Sequence, residues 1–205
     1  MFKHYHQTWR VSRDRYLNTH EIKSLFDECK KQEARNNLWK RIWMLVHLAF
    51  CTGLRVGEIS NLKIGDLILD DTEPRLHVRN GKTRNSRRYV PLPQELRLHL
   101  QEYIAEFLPS VFQSNLESDY LFQSSRQSKY SVSGLQHLFK IAFEAVGLGH
   151  YSAHCCRHSF AFTYYGKTKD LRGLQILLGH SDLSTTEVYT VTPFSQLHKN
   201  CEALY

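Results

Sequence analysis

Residues 171–189 read LRGLQILLGHSDLSTTEVY and contain a helix, a break and a turn in close succession. The apolar residues from Leu171 to Leu178 predict a helix, and Gly179 ends it. His180 follows the break, and residues 185–189 are predicted to form a short helical turn that carries Tyr189. A tyrosine on a short helix is usually a packing or surface residue, so this stretch acquires meaning only from the motifs around it.

A helix is also predicted immediately upstream, from Ser152 to Tyr165, and polar residues interrupt its apolar pattern. It contains His154-Cys-Cys-Arg157-His158. His154 and Arg157 are three residues apart and therefore share a helix face. His154 and His158, four apart, have the spacing of a zinc-binding pair. The two cysteines lie off that face and the motif has no glutamate, so we expect no metal site.

A third motif, Thr52-Gly-Leu-Arg55-Val-Gly-Glu58, follows a helix predicted from Leu38 to Cys51. Arg55 lies between two glycines at the start of a helix predicted from Val56 to Leu62. This position directs a guanidinium and helix-terminal N–H groups to one point, which suits a phosphate. A surface arginine in a turn is the alternative interpretation.

A basic β-hairpin is predicted from two strands, Arg75 to Arg79 and Arg88 to Leu92, with Asn80-Gly81 between them. A cationic hairpin favours contact with a DNA backbone. The alternative is a solvated edge hairpin that its charges protect from aggregation. The segment holds six basic residues and no acidic one: Arg75, Arg79, Lys82, Arg84, Arg87 and Arg88.

The rest of the chain is predicted to be largely helical, and the fold class is mainly α with a small antiparallel β-sheet (α+β). Helical periodicity starts at Thr19, runs from Gln94 to Phe107, and recurs from Gly134 to Val146 with Ser133 as its cap. Residues 109–130 are rich in Ser and Gln and predict a loop with a short strand at residues 120–122.

Composition narrows the class of partner. The chain has 205 residues and a formal net charge of +7, which favours a polyanionic partner, either nucleic acid or an acidic membrane surface; charge alone does not choose between them. No apolar stretch reaches the roughly 20 residues that cross a bilayer, so no membrane span is expected. With the motifs above, we expect nucleic acid and not a membrane as the partner. The five cysteines are odd in number and irregularly spaced, and the sequence shows no export signal. This pattern is typical of reduced thiols in the cytoplasm.

Taken together and in this order, the motifs resemble the catalytic set of the tyrosine recombinase (phage integrase) family. The matching stretches are Gly53-Leu-Arg-Val-Gly-Glu, Gly81-Lys-Thr, His154-x-x-Arg and Leu178-Gly-His with the downstream tyrosine. The likeness extends from about Tyr16 to Pro193 and implies the catalytic-domain fold of that family. It implies a catalytic set of Arg55, Lys82, His154, Arg157, His180 and the nucleophile Tyr189, supported by Glu58.

The resemblance also implies a mechanism. Tyr189 would attack a phosphate of double-stranded DNA held by Arg55 and Arg157, leaving a 3′-phosphotyrosyl enzyme and a free 5′-hydroxyl. His154 and His180 would add hydrogen bonds to that phosphate, and cationic neighbours, or one of these histidines acting as a base, would help to form the phenolate. Lys82 would protonate the leaving oxygen, and the second strand's hydroxyl would reverse the step. The reaction would require neither a cofactor nor a metal.

Three segments are expected: residues 1–16 as a basic arm or linker, 17–193 as the catalytic domain, and 194–205 as a tail exchanged between subunits of a homo-oligomer on DNA. Many relatives carry a further N-terminal helical domain, so the sequence fits an isolated catalytic domain or a short recombinase associated with the bacterial nucleoid. The alternative functions are a type IB topoisomerase-like nickase-religase and a non-catalytic DNA-binding regulator.

Overall fold

The structure is a computed structural model, and it describes residues 15–79, 87–111, 119–124, 129–180, 186, 188 and 189. The expected arm up to residue 14 and the expected tail therefore lie outside the described residues. Tyr16, at the boundary of the arm, stacks on Phe162 with 4.1 Å between ring centroids. The Leu17 N–H donates to Ser159 Oγ at 2.8 Å, so the chain enters the fold against a later helix.

The centre of the fold is the helix α2, Asn37–Thr52, which packs against the helices on every side of it. Asn36 caps its start by accepting from the Trp39 N–H, and Gly53 ends it at φ 63°. Its buried positions are Ile42, Trp43, Met44, Leu45, Val46, His47, Leu48, Ala49, Phe50 and Thr52. A helix buried on nearly every face organises a core rather than covering one.

Other helices surround α2. They are α1 (Thr19–Glu33), α3 (Val56–Ser60), α4 (Gln94–Glu102), α5 (Leu108–Val111), α6 (Val132–Glu144), α7 (His154–Thr168) and α8 (Leu171–Leu178). A π-helical turn, Tyr103–Phe107, joins α4 to α5, so the helix predicted from Gln94 continues past Phe107. The cap of α6 is Ser131 and not Ser133, because the Ser131 hydroxyl accepts from the Gly134 N–H.

The sheet is antiparallel with the order β1-β2-β3, formed by Leu67–Ile68, Arg75–Val78 and Arg88–Pro91. The two predicted strands are confirmed, each one residue shorter than expected. Strand β1 was not predicted; it follows a 3-10 turn, Ile64–Asp66, and pairs Leu67 with Leu76. Instead of the strand predicted at 120–122, isolated bridges join Lys63 to Tyr120 and Gln123 to Lys129.

The mainly helical fold with one small antiparallel sheet is thus as predicted. Among the described residues, no helix is long and apolar enough to cross a membrane. A second, smaller apolar cluster lies between α7 and α8 and contains Ala161, Leu174, Leu178 and Tyr189. The predicted nucleophile is therefore packed into the fold.

Candidate active site

The predicted site residues lie where the ends of several elements meet. The first turn of α7 contacts the carboxyl ends of α2 and α8, because Arg157 donates to the carbonyl oxygens of Gly53 and Leu178. The start of β3 reaches the same place, where Arg88 donates to the Leu177 carbonyl. Residues more than a hundred positions apart in the chain thereby enclose one small volume.

Arg55 precedes α3 and is held by a buried carboxylate. Its backbone N–H donates to Glu58 Oε2 at 2.8 Å, and its guanidinium lies 3.4 Å from Glu58 Oε1. Glu58 is only 8% exposed, whereas the Arg55 side chain is 42% exposed. The carboxylate therefore orients the arginine while the guanidinium stays accessible to a ligand.

Arg88 corrects one of the sequence predictions. It was assigned to the DNA-contacting surface of the hairpin, but it is 7% exposed and its Nη1 and Nη2 lie 2.9 and 3.1 Å from the two oxygens of Glu58. Burial alone would raise the pKa of Glu58, but the hydrogen bonds and charge of Arg88 outweigh it and the pKa is lowered. Arg88 is thus a buried partner of Glu58 and not an exposed backbone contact.

Arg157 is almost completely buried, at 2% exposure. Its Nη1 donates to Gly53 O at 2.9 Å, and its Nη2 donates to Leu178 O at 2.8 Å. Burial, reinforced by the nearby charge of Arg55, lowers the pKa of Arg157 to about 9, so the guanidinium stays charged at neutral pH. The result is a fixed cation in a place that water barely reaches.

The protonation state of His180 follows from its partners. Its Nε2 lies 2.8 Å from Arg157 Nη2, and its Nδ1 lies 2.9 Å from Thr186 Oγ1. A guanidinium only donates, so Nε2 must accept and the ring proton must reside on Nδ1, where it is donated to Thr186. Burial and the charge of Arg157 lower the pKa of His180 to about 4, which agrees with a neutral ring.

His154 stands at the exposed beginning of α7, on the same face as Arg157. Burial of its ring and the charges of Arg157 and Arg55 lower its pKa. It lines a cavity of about 400 Å³ together with Arg55 and Lys140. A second cavity of about 380 Å³ lies beside His180, and its lining includes three arginines: Arg87, Arg88 and Arg172.

Tyr189 is 4% exposed, and its hydroxyl lies 2.8 Å from Nδ1 of His158. Phe162 packs edge-on against its ring with the centroids 5.4 Å apart. Cationic neighbours or a base were predicted to help form the phenolate of Tyr189. The charges of Arg157 and Arg55 do act in that direction, but burial outweighs them and the pKa of Tyr189 is raised.

The structure describes only some of the other basic residues of the hairpin. Lys82 and Arg84 lie outside the described residues. Arg79 forms an ion pair with Asp66, and Arg75 pairs with Glu73 at 3.5 Å and lies over the ring of Tyr89. These two cations therefore already have neighbours of opposite charge or aromatic character, while Arg87 is exposed beside the second cavity.

Sequence reasoning missed His158, which it treated only as a possible metal ligand. Its contact with Tyr189 joins residues 31 positions apart. The sequence signal that could have found it is the i,i+4 spacing from His154, which places His158 one turn further along the same helix face. Among the described residues, no group of three or more His, Cys, Asp or Glu side chains is arranged to hold a metal ion.

Comparison with known proteins identifies the family of this chain. The model of the phage integrase family matches residues 15–195. The chain belongs to the phage integrase family. Its relatives in the family include a tyrosine recombinase XerC of Lactobacillus leichmannii, 34% identical over 147 residues, which are 71% of this chain and 48% of the relative. A tyrosine recombinase XerD of Rickettsia conorii is 31% identical over 198 residues, 89% of this chain and 61% of the relative.

Solved structures of family members show the same fold. The crystal structure of XerA recombinase superimposes with a TM-score of 0.72 at 27% identity, over 93% of this chain and 64% of the other. A post-cleavage complex of XerH site-specific recombinase with a palindromic difH substrate gives a TM-score of 0.74 at 26% identity, over 91% and 52%. The chain spans about half to two thirds of the length of these relatives.

Proposed function

We propose that this protein is a site-specific DNA recombinase that cuts and rejoins strands through a 3′-phosphotyrosyl intermediate on Tyr189. One observation carries the proposal: motifs from distant parts of the chain converge on one cluster. Arg157 contacts His180 and donates to the carbonyl oxygen of Gly53, two residues before Arg55. His158, the residue after Arg157, contacts the Tyr189 hydroxyl. A nucleophile, two cations and a neutral imidazole within one fold are what phosphoryl transfer requires.

Each residue has a role that its environment supports. Arg55 and Arg157 clamp the non-bridging oxygens of the phosphate, since guanidinium groups match two oxygens at once. His154 adds a hydrogen bond as charge develops on those oxygens. His180 orients the guanidinium of Arg157 by accepting from its Nη2. Glu58 positions Arg55 and is itself neutralised by Arg88. Lys82, assigned from the sequence alone, protonates the leaving 5′-oxygen.

Double-stranded DNA is the proposed substrate, and charge supports it. Of the two cavities that site residues line, one contributes Lys140 and the other contributes Arg87 and Arg172. Phosphates next to the one under attack would therefore meet cations. Two duplexes are exchanged by a homo-oligomer, and the protein acts in the cytoplasm, at the bacterial nucleoid.

The test is a suicide substrate, nicked so that the fragment with the 5′-hydroxyl diffuses away after cleavage. We expect a covalent protein–DNA adduct that survives denaturation and forms in the presence of a chelator. Tyr189→Phe should abolish it, and the matched control Tyr165→Phe, further along α7, should not. An adduct that persists in Tyr189→Phe would show that another residue is the nucleophile.

The roles of the cations have their own tests. Arg55→Lys and Arg157→Lys should each lose most cleavage because lysine cannot form the forked contact. Near-normal cleavage by both would contradict the clamp. Lys82→Ala should be partly rescued by a substrate with a better leaving group at the 5′ position.

A two-site assay separates recombination from topoisomerase-like relaxation. A recombinase exchanges flanking sequences between two target duplexes, whereas a nickase-religase reseals within one. Exchange of flanks supports the proposal, and relaxation without exchange supports the alternative.

A further inference from the structure

The Tyr189 hydroxyl contacts a histidine outside the catalytic set that the sequence predicted. We propose that His158 is the proton acceptor for Tyr189 during strand cleavage and returns the proton during rejoining, an inference that rests on the proposed function. Its Nδ1 lies 2.8 Å from the phenolic oxygen, within the range in which a proton transfers directly between heavy atoms.

The Tyr189 side chain needs an acceptor. It is 4% exposed, and burial raises its pKa even with Arg157 and Arg55 nearby. A buried phenol with a raised pKa is a poor nucleophile at neutral pH, so its proton must leave as the oxygen attacks. A base already hydrogen-bonded to the hydroxyl removes the need to form a free phenolate.

The His158 ring is ready to accept. His154 and Arg157 face it from its own helix, Arg15 from the segment before α1, and Tyr189 from the opposite side. Burial, His154 and the two arginines lower the pKa of His158 to about 4, so the ring is neutral at neutral pH. A neutral ring with its proton on Nε2 presents the Nδ1 lone pair to the hydroxyl.

His180 is less suited to this task. Its Nε2 accepts from Arg157 and its Nδ1 donates to Thr186. Taking up a further proton would place two donors, the guanidinium and the new N–H, against each other. His180 therefore orients the guanidinium of Arg157, while His158 serves the nucleophile.

The step balances as follows. The Tyr189 O–H bond breaks and its proton forms a bond to His158 Nδ1. The phenolic oxygen bonds to phosphorus, the bond from phosphorus to the 5′-oxygen breaks, and that oxygen takes a proton from Lys82. In rejoining, the 5′-hydroxyl attacks and gives up its proton to Lys82, and the imidazolium of His158 protonates the departing tyrosine. The phosphate that enters with the DNA favours the protonated ring by its negative charge.

The experiment compares His158→Asn and His158→Ala with the unaltered protein in single-turnover cleavage of the suicide substrate. Asparagine retains an acceptor for the Tyr189 hydroxyl but cannot take its proton. We expect both variants to bind DNA normally and to cleave about 10²–10⁴-fold more slowly. Phe162→Leu, which loosens the packing of Tyr189 without removing a base, is the matched control.

The pH dependence distinguishes proton transfer from positioning. Without the base, cleavage depends on hydroxide removing the phenolic proton, so the rate of each His158 variant should rise about tenfold per pH unit relative to the unaltered protein. Added imidazole should partly restore His158→Ala but leave Phe162→Leu unchanged. His158→Asn with near-normal cleavage, a defect that is constant with pH, or faster cleavage in either variant would each overturn the proposal. An adduct that forms at the normal rate on Tyr189 in these variants overturns only this inference. An adduct that forms on a residue other than Tyr189 overturns the proposed function.

Discussion

The ion pair between Arg88 and Glu58 provides a quantitative test of how the site is built. Both side chains are nearly inaccessible, at 4% and 5% exposure, and Arg88 also donates to Leu177 O at 2.6 Å. Arg88→Met removes this cation, leaves Leu177 O short of a donor, and leaves the buried carboxylate with only the Arg55 N–H at 2.8 Å and the Arg55 guanidinium at 3.4 Å. Breaking a buried pair from one side costs about 3–5 kcal/mol. Because Arg55 still faces Glu58, we expect the free energy of unfolding to fall by about 3 kcal/mol, the lower end of that range.

The assay is urea denaturation of Arg88→Met, Glu58→Leu and the double variant, followed by circular dichroism. Because the double variant leaves neither charge unpaired, it should be more stable than the sum of the two single losses predicts, by at least about 2 kcal/mol. All variants that lack Glu58 should also lose cleavage, since its carboxylate holds Arg55. A loss below about 1 kcal/mol in Arg88→Met, or strictly additive losses, would refute the reasoning.

Three further predictions concern other parts of the fold. Gly53→Ala should lower the melting temperature, because φ is 63° there and the new methyl group would overlap the ring of Phe160, at a cost above the ~1–2 kcal/mol of left-handed strain. Burial lowers the pKa of His47 to about 4 and that of its neighbour His99 to about 3. Below pH 6.5 the unfolded chain therefore binds more protons at these two residues than the native state does. Unfolding free energy should fall as the pH drops from 6.5 towards 4, by roughly 3 kcal/mol for His47, and replacing both with Leu should flatten that slope in pH-dependent urea melts. Arg172→Ala should weaken binding of any duplex and reduce the slope of log K against log salt by about 1 in fluorescence titrations; an unchanged slope would remove Arg172 from the DNA path.

Local patterns in the sequence predicted the helices well, and the reason is that helix signals are local. The apolar run and Gly179 predict α8 with the bounds that the structure has, Leu171–Leu178. The strand Leu67–Ile68 was missed because two residues carry no period, and its pairing with β2 depends on the turn before it. The sequence also does not distinguish Ser131 from Ser133 as the cap of α6, because both are serines near the start of the helix.

The site was predicted less completely because partners are not local. Counting charges placed Arg88 on a cationic surface, but its partner Glu58 lies 30 positions earlier and is found only in the folded chain. His158 was similarly ambiguous until the fold brought Tyr189 to it. Arg55, Arg157 and His180 lie close together in the structure, whereas their catalytic roles, like that of Lys82, stay predictions from the sequence.

Arg157 donates hydrogen bonds to carbonyl oxygens at the ends of two helices and also faces the site. It therefore stabilises the fold as well as the site. A relative of this chain that does not cleave DNA would still be under pressure to keep that arginine, simply to fold. Its retention in a distant homologue is therefore weak evidence of enzymatic activity. Arg55, whose side chain is 42% exposed, is the more informative marker when active family members must be told from silent ones.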